Sequence, residues 1–222
     1  TRFLKARKWN LDKAETMFRN RMKWIAEYKP HRITEEDVAP VIQAGKAFFY
    51  GRDKVGRPIL VIRAGLHKAN EGKTASELFF KYFVYLSELG LMLAPPPPHN
   101  QYVVLYDRTD CSQKNFDTKG HIRMVSLGDY YPEMVGMACV LYPNFLYYML
   151  FNVAKAFIDP VTLSKIRVLS TKENDVKKEL QEIIGTRAQM LPDMGGNSNL
   201  PWYPQSIPDK WVINFQSKHP RN

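Results

Sequence analysis

The chain has 222 residues, 45% hydrophobic and 24% charged, which is enough for one large domain or two small ones and excludes a disordered or fibrous polypeptide. Only two cysteines occur, which excludes a disulfide framework or a cysteine-built zinc cluster and points to a reducing, cytoplasmic setting. The 32 Lys+Arg against 22 Asp+Glu leave a net charge of +10, so the expected partners are anionic, either nucleic acid or an acidic membrane surface.

No basic-then-apolar targeting pattern stands at the start, and the chain opens inside a helical pattern, as a fragment of something longer would. Residues 1–32 hold ten Lys/Arg and three Asp/Glu, so most of the excess charge lies here. Leu11, Ala14, Phe18, Met22 and Ile25 fall at helical spacing with basic residues on the other faces, and Pro30 ends that helix. The basic side reads either as a solvated face or as a docking face for acidic lipid headgroups. Two strands are expected at 47–50 and 59–63, joined by the turn-rich Gly51-Arg52-Asp53-Lys54-Val55-Gly56-Arg57-Pro58. Thr74 with Glu77 forms the pattern of a capping box, opening a long helix that ends before the prolines at 95–98. A strand at 101–106 and a helix at 118–129 follow.

Residues 134–154 carry no charge and are long enough to span a bilayer, but Pro143-Asn144 interrupts them and Gly136 weakens the first half. A buried strand at 135–142 and a helix at 144–157 capped by Asn144 describe the stretch better. That helix has one thin polar stripe, Asn144, Tyr148, Asn152 and Lys155. It is more apolar than a one-sided surface helix requires, so it either lies inside the core or separates a greasy cavity from lipid. A helical turn from Pro160 capped by Asp159, a strand at 166–169 and a charged helix at 172–184 stopped by Gly185 complete the pattern. Strands alternating with helices imply an α/β fold with a mixed, mostly parallel sheet.

Enzyme signatures are missing. There is no G-x-G-x-x-G after a strand, no P-loop and no G-x-S-x-G elbow. The five histidines are scattered with no H-x-x-x-H pair, so neither a metal nor a cofactor is expected. Cys111 and Cys139 have no adjacent histidine and read as inert thiols. Asp107 and Asp110 read as loop caps rather than a catalytic pair. The aromatics cluster in the most apolar segments, away from the basic N-terminus, which argues against nucleic acid.

Five local patterns in register resemble the CRAL-TRIO lipid-transfer proteins. They are Arg2-Phe3-Leu4-Lys5-Ala6-Arg7-Lys8-Trp9 with Ala14, the Asp53-to-Pro58 turn, Tyr130-Tyr131-Pro132-Glu133 with Gly136, Phe157-Ile158-Asp159-Pro160-Val161-Thr162 continuing to Lys165-Ile166, and Leu191-Pro192 with Gly195-Gly196. The resemblance implies that 1–32 belong to a helical N-terminal subdomain, that 33–200 form an α/β lobe whose sheet floors a hydrophobic lipid pocket, and that 201–222 are a tail. It implies a gate helix at 144–157 and a phosphatidylinositol headgroup site at Arg7, Glu133, Thr162 and Lys165, as in the yeast phosphatidylinositol/phosphatidylcholine-exchange type. The chemistry is coherent, because a buried phosphate needs cationic and hydroxyl donors. A plain salt bridge from Glu133 to Lys165 or Arg7 is the structural alternative.

Apolar faces name Phe79, Tyr82, Phe83, Leu86, Tyr102, Val104, Phe145, Met149 and Val153 as the expected pocket wall. Where exchange-type members carry a Ser and a Thr for phosphocholine, this strand reads Tyr102-Val103-Val104, and the usual D-L-x-G becomes Asp107-Arg108-Thr109-Asp110. The resulting expectation is a monomeric, non-catalytic phosphatidylinositol carrier in the cytoplasm, peripheral to anionic membranes. The alternatives are a carrier of a sterol-like or other hydrophobic molecule, and a lipid-regulated tethering module of a larger protein.

Overall fold

A computed structural model describes residues 1–68, 72–115, 117–155, 160–185 and 202–204. The chain begins with a short helix, α1 (Arg2–Ala6), broken where Lys8 and Trp9 both adopt left-handed backbone. Asn10 then caps α2 (Leu11–Tyr28), its side chain accepting from the Lys13 N–H at 2.9 Å.

The buried row of α2 shares only Ala14 with the fully buried positions expected. Ala14 and Met17 are buried, while Leu11, Phe18 and Met22 are exposed. Both rows have helical spacing, and aromatic partners decide between them. Trp24 stacks on Tyr130 at 4.4 Å, and the Arg21 guanidinium lies 4.6 Å from the Tyr131 ring centroid. These contacts turn α2 onto α5 (Thr118–Tyr130).

A helix absent from the sequence reading, α3 (Glu35–Gln43), follows. Thr34 and Asp37 form its capping box, and Lys81 of α4 (Lys73–Leu93) pairs with Asp37 at 2.9 Å. The capping box expected at Thr74 and Glu77 does not form. Gly72 is the N-cap of α4, and Glu77 is held by both terminal nitrogens of Arg123 on α5, at 2.7 and 2.8 Å. A charge-assisted, bidentate partner outcompetes a backbone N–H for that carboxylate.

Among the described residues the sheet has six strands, in the order β5-β4-β3-β2-β1-β6. They are β1 (Ala47–Arg52), β2 (Pro58–Arg63), β3 (Tyr102–Asp107), β4 (Val135–Leu141), β5 (Ile166–Val168) and β6 (Trp202–Tyr203). The run β2 to β5 is parallel, and β1 pairs antiparallel with both β2 and β6. The β1–β2 turn is built around the buried Asp53. Its carboxylate accepts from the Val55 and Arg57 backbone and pairs with the Arg57 guanidinium at 2.7 Å. Gly56, at φ 87°, supplies the left-handed step the turn needs.

Side chains alternate across each strand, and neighbours in register share a face. One face carries Ile59, Val61, Val103, Leu105, Cys139 and Leu141, all buried in a core shared with α8 (Glu173–Ile184). The opposite face carries Leu60, Ile62, Tyr102, Val104, Tyr106, Ala138, Val140, Ile166 and Val168. Helix α4 seals the Tyr102 end of this second face. A Cβ on Gly90 would lie 3.0 Å from Phe49 and 3.1 Å from Tyr102, so the glycine is what permits the close approach. Beyond Tyr102, residues Val104, Tyr106, Ala138, Ile166 and Val168 are only partly covered.

The uncharged stretch 134–154 is a strand, a turn and a helix, α6 (Phe145–Ala154), as expected. Among the described residues no helix is long and apolar enough to cross a membrane. Phe157 to Asp159, Leu191, Pro192, Gly195 and Gly196 lie outside the described residues, as does the Val153 side chain.

Candidate functional site

Helix α6 is fastened at its start by side-chain hydrogen bonds. The Asn144 side chain accepts from the Tyr147 N–H at 3.0 Å and donates to the Cys111 carbonyl at 2.9 Å. Arg108, at the end of β3, reaches the same Asn144 oxygen at 3.4 Å, and its guanidinium lies 5.0 Å from the Tyr147 ring. Beyond that root, several α6 side chains face outward. Phe145 is 84% exposed and Met149 48%, with Leu146 and Phe151 partly covered. An apolar helix with outward-facing side chains thus accompanies an apolar sheet face that is incompletely covered. Water is a poor neighbour for either surface.

The amino ends of β4 and β5 carry the polar part of the site. Glu133 lies two residues before β4, and Lys165 immediately precedes β5 at the end of α7 (Pro160–Ser164). Parallel pairing of these strands brings the two together across 32 positions, with Lys165 Nζ 3.0 Å from Glu133 Oε2. Both are about one-fifth exposed, at 22% and 21%. Glu133 sits at φ 56°, so its carbonyl turns toward Arg2 Nη1, which donates at 2.8 Å, and Gln101 Nε2, which donates at 3.2 Å. The Lys165 carbonyl is fixed by the Ala138 N–H at 2.8 Å. Thr162 is one helical turn before Lys165 and is exposed.

The four expected headgroup residues are therefore not all together. Glu133 and Lys165 form an ion pair, with Thr162 on the adjoining turn. Arg7 points elsewhere and pairs with Asp129 of α5 at 3.2 Å. It lines an open surface groove of about 680 Å³ between α2 and the end of α5. The arginine near Glu133 is instead Arg2, which donates to the Glu133 and Asn100 backbone carbonyls. Burial lowers the Arg2 guanidinium from its usual pKa, and the Glu133 charge opposes that shift. Arg2 was visible in the opening motif, but nothing in the motif shows that the helix breaks at Lys8 and swings Arg7 away.

The expected wall residues divide into two groups. Tyr82, Phe83 and Leu86 are packed in the core between α4 and the sheet, with the Tyr82 hydroxyl donating to the Ala47 carbonyl at 2.5 Å. Tyr102 is buried against Phe49, and burial pushes its hydroxyl up to about 12. Val104 lies on the partly covered face, and Phe145 and Met149 are exposed on α6. Phe79 lines a cavity of about 20 Å³ with Tyr106, Ile62 and Met124, room for about one water. Acyl chains do not fit there. The space beside α6 and the uncovered sheet face is where apolar surface is open.

Burial pushes the Cys111 and Cys139 thiols up to about 11, so both are protonated at neutral pH. No group of three or more His, Cys, Asp or Glu able to hold a metal occurs among the described residues.

Comparison with known proteins agrees with this architecture. Residues 42–196 match the family model described as the CRAL/TRIO domain, and residues 1–20 match the CRAL/TRIO N-terminal domain. A CRAL-TRIO domain-containing protein of Schizosaccharomyces pombe, C3H8.02, is 30% identical over 92% of this chain and 46% of its own length. The phosphatidylinositol/phosphatidylcholine transfer protein SFH12 of Arabidopsis thaliana is 28% identical over 89% of this chain and 38% of its own. The chain thus spans less than half the length of these two relatives. The crystal structure of Sfh5 superposes with a TM-score of 0.65 at 18% identity, covering 80% of this chain and 65% of that one, a likeness of fold.

Proposed function

This chain belongs to the CRAL/TRIO family, and on that premise we propose that it binds phosphatidylinositol and carries it between or at membranes without catalysis. The observation that carries the reading is the pairing of a largely exposed apolar helix, hydrogen-bonded at its root, with a partly uncovered apolar sheet face, beside a mostly buried Glu–Lys pair. Exposing two acyl chains to water costs on the order of 20 kcal/mol at ~0.8 kcal/mol per methylene. A carrier must therefore offer a replacement apolar wall before the lipid leaves its bilayer. The sheet face and α6 are suited to that, with α6 as the moving part.

The Glu133–Lys165 pair is the resting form of the headgroup site in this reading. On lipid entry Lys165 transfers its donors to the phosphate with help from the Thr162 hydroxyl. Glu133, freed from Lys165, accepts from inositol hydroxyls. Arg2 keeps the Glu133 backbone in place, and Arg7 acts at the rim, where it leaves Asp129 for the headgroup. Relatives such as SFH12, a transfer protein for phosphatidylinositol and phosphatidylcholine, support the inositol lipid as cargo. Tyr102 and Val104 supply no Ser or Thr hydroxyl for phosphocholine, which favours an apolar second cargo such as a sterol-like molecule. The basic N-terminal region, net +7 over residues 1–32, supports peripheral contact with anionic membranes in a cytoplasmic setting.

The test is a transfer assay with labelled phosphatidylinositol in donor vesicles and unlabelled acceptors. Saturable movement that scales with protein concentration is expected. Transfer no faster than the spontaneous rate would remove the proposal.

A further inference from the structure

Residues far apart in sequence converge on the turn that leads from α5 through Glu133 into β4. Glu133 stands at φ 56°, a left-handed backbone that a long L side chain rarely adopts unless its surroundings impose it. Donors on its carbonyl impose it here. Arg2 Nη1 donates at 2.8 Å and Gln101 Nε2 at 3.2 Å, while the other terminal nitrogen of Arg2 donates to the Asn100 carbonyl. The next carbonyl, that of Met134, accepts from the Tyr102 N–H at 2.9 Å. Two successive peptide groups of the turn are thereby held, and Arg2 bridges the loops that precede β3 and β4.

Gly136 makes the arrangement fit. A Cβ there would lie 2.8 Å from Gln101 Oε1 and 2.6 Å from Arg57 Nη1, closer than a side-chain carbon comes to such atoms. The glycine thus leaves room for Gln101 and for the Arg57 guanidinium that the buried Asp53 holds. Arg2 reaches the turn because α1 is itself fixed. Phe3 meets Phe18 of α2 edge-on at 5.4 Å, and the Trp9 N–H returns to the Leu4 carbonyl at 2.7 Å. Three motifs of the sequence therefore supply parts of one cradle: Arg2 from the opening helix, Arg57 from the β1–β2 turn and Gly136 from the stretch after Tyr130-Tyr131-Pro132.

Backbone strain of this kind gathers at ligand sites, where it fixes the direction of a side chain. Turning Glu133 out of the left-handed region would swing its Cα–Cβ bond, and with it the carboxylate that now meets Lys165 Nζ at 3.0 Å. We propose that Arg2 and Gln101 are positioning residues that set headgroup choice. By holding the Glu133 backbone they aim its carboxylate at the hydroxyls of an inositol head, and so select inositol lipids over lipids with a bare phosphate. The inference rests on the phosphatidylinositol-carrier reading and adds to it two residues that act through Glu133.

The test uses liposomes with equal amounts of phosphatidylinositol and phosphatidic acid on the same acyl chains, the lipid taken up by the protein being identified by mass spectrometry. The parent is expected to enrich phosphatidylinositol about tenfold over phosphatidic acid, the worth of a hydrogen bond to a charged acceptor. Arg2→Met and Gln101→Leu, which remove the donors and keep the bulk, are each expected to lose most of that preference while carrying as much lipid in total. Arg2→Lys is expected to keep part of it. In a Glu133→Gly background no carboxylate remains to be aimed, so adding Arg2→Met is expected to change neither the ratio nor the amount. A preference retained in both donor variants overturns the clamp and leaves the carrier standing. Parallel loss of both lipids makes the two residues general supports of the fold and overturns it too. A further fall in bound lipid on adding Arg2→Met to Glu133→Gly puts Arg2 on the lipid itself and overturns its positioning role. If circular dichroism shows Arg2→Met unfolded, Gln101→Leu decides alone. A parent that takes up no lipid, or both in liposome proportion, overturns the headgroup reading as well.

Discussion

Glu133 and Lys165 are about four-fifths covered, between the regime where an ion pair is worth almost nothing and the one where breaking it costs several kcal/mol. Lys165→Ala should therefore lower stability by about 1–2 kcal/mol, a melting shift of a few degrees for a chain of this length. Combined with Thr162→Ala it should abolish extraction of phosphatidylinositol from liposomes while the far-UV circular dichroism is unchanged. Unaltered extraction by the double variant would remove these residues from the site. The pair was legible because each partner lies in a motif next to a strand, and parallel pairing of those strands is the only step needed to join them. Arg7 was not legible in the same way. A long cation can reach many carboxylates, and two left-handed residues, Lys8 and Trp9, decide that Arg7 meets Asp129 while Arg2 meets the Glu133 carbonyl.

At the scale of elements, α3 and α6 make contrasting demands. Helix α3 depends on its capping box, where the Thr34 backbone N–H and the Lys81 ammonium hold the Asp37 carboxylate below its ordinary pKa. A carboxylate depressed in the folded state stabilises fully above its unfolded value, near ~4, and loses that contribution as pH falls through the lower folded value. The stability gap between the parent and Asp37→Asn should thus be constant from neutral pH to about 5 and narrow below about 4 in acid titrations followed by denaturant melts. A gap independent of pH would show that Asp37 acts only as a neutral cap. The sequence reading missed α3 because Pro40 lies inside it and reads as a breaker, and because nine residues carry too few turns for a clear apolar period.

Helix α6 was legible for the opposite reason, an excess of apolar residues that a one-sided helix does not need. Phe145 and Met149 contribute little to the packed core, so Phe145→Ser with Met149→Ser should leave the melting temperature within about a degree or two. The same pair should slow vesicle-to-vesicle transfer several-fold. A large fall in melting temperature would instead show that α6 is a packed structural helix. Helix α2 shows the limit of periodicity. Two apolar rows satisfy the same spacing, and the stacking of Trp24 on Tyr130 selects the row through Ala14 and Met17. That choice depends on a residue more than a hundred positions away, which no local pattern contains.

Over the whole molecule, the alternation of strands and helices was enough to read a mostly parallel α/β sheet. The asymmetry of its two faces was not, because burial on each side depends on which helices cover it. One face is buried in the core, and the other is covered by α4 near Tyr102 and around Ile62 and Tyr106, where Phe79 lines the small cavity, but only partly at Val104, Ala138, Ile166 and Val168. The uneven charge acts at this scale too. With a net +7 in the first 32 residues, sedimentation with vesicles rich in phosphatidylserine should fall steeply between about 0.05 and 0.5 M salt, where the screening length drops from more than ~10 Å to a few ångströms. Neutral vesicles should retain little protein at any salt, and equal retention by both would place the contact on apolar groups alone.

The most direct measurement is native mass spectrometry of the protein after incubation with mixed liposomes and re-purification, with the bound lipid released and identified. The account predicts one lipid per chain, with phosphatidylinositol enriched well above its share of the liposomes. A chain that emerges with no lipid bound would contradict it.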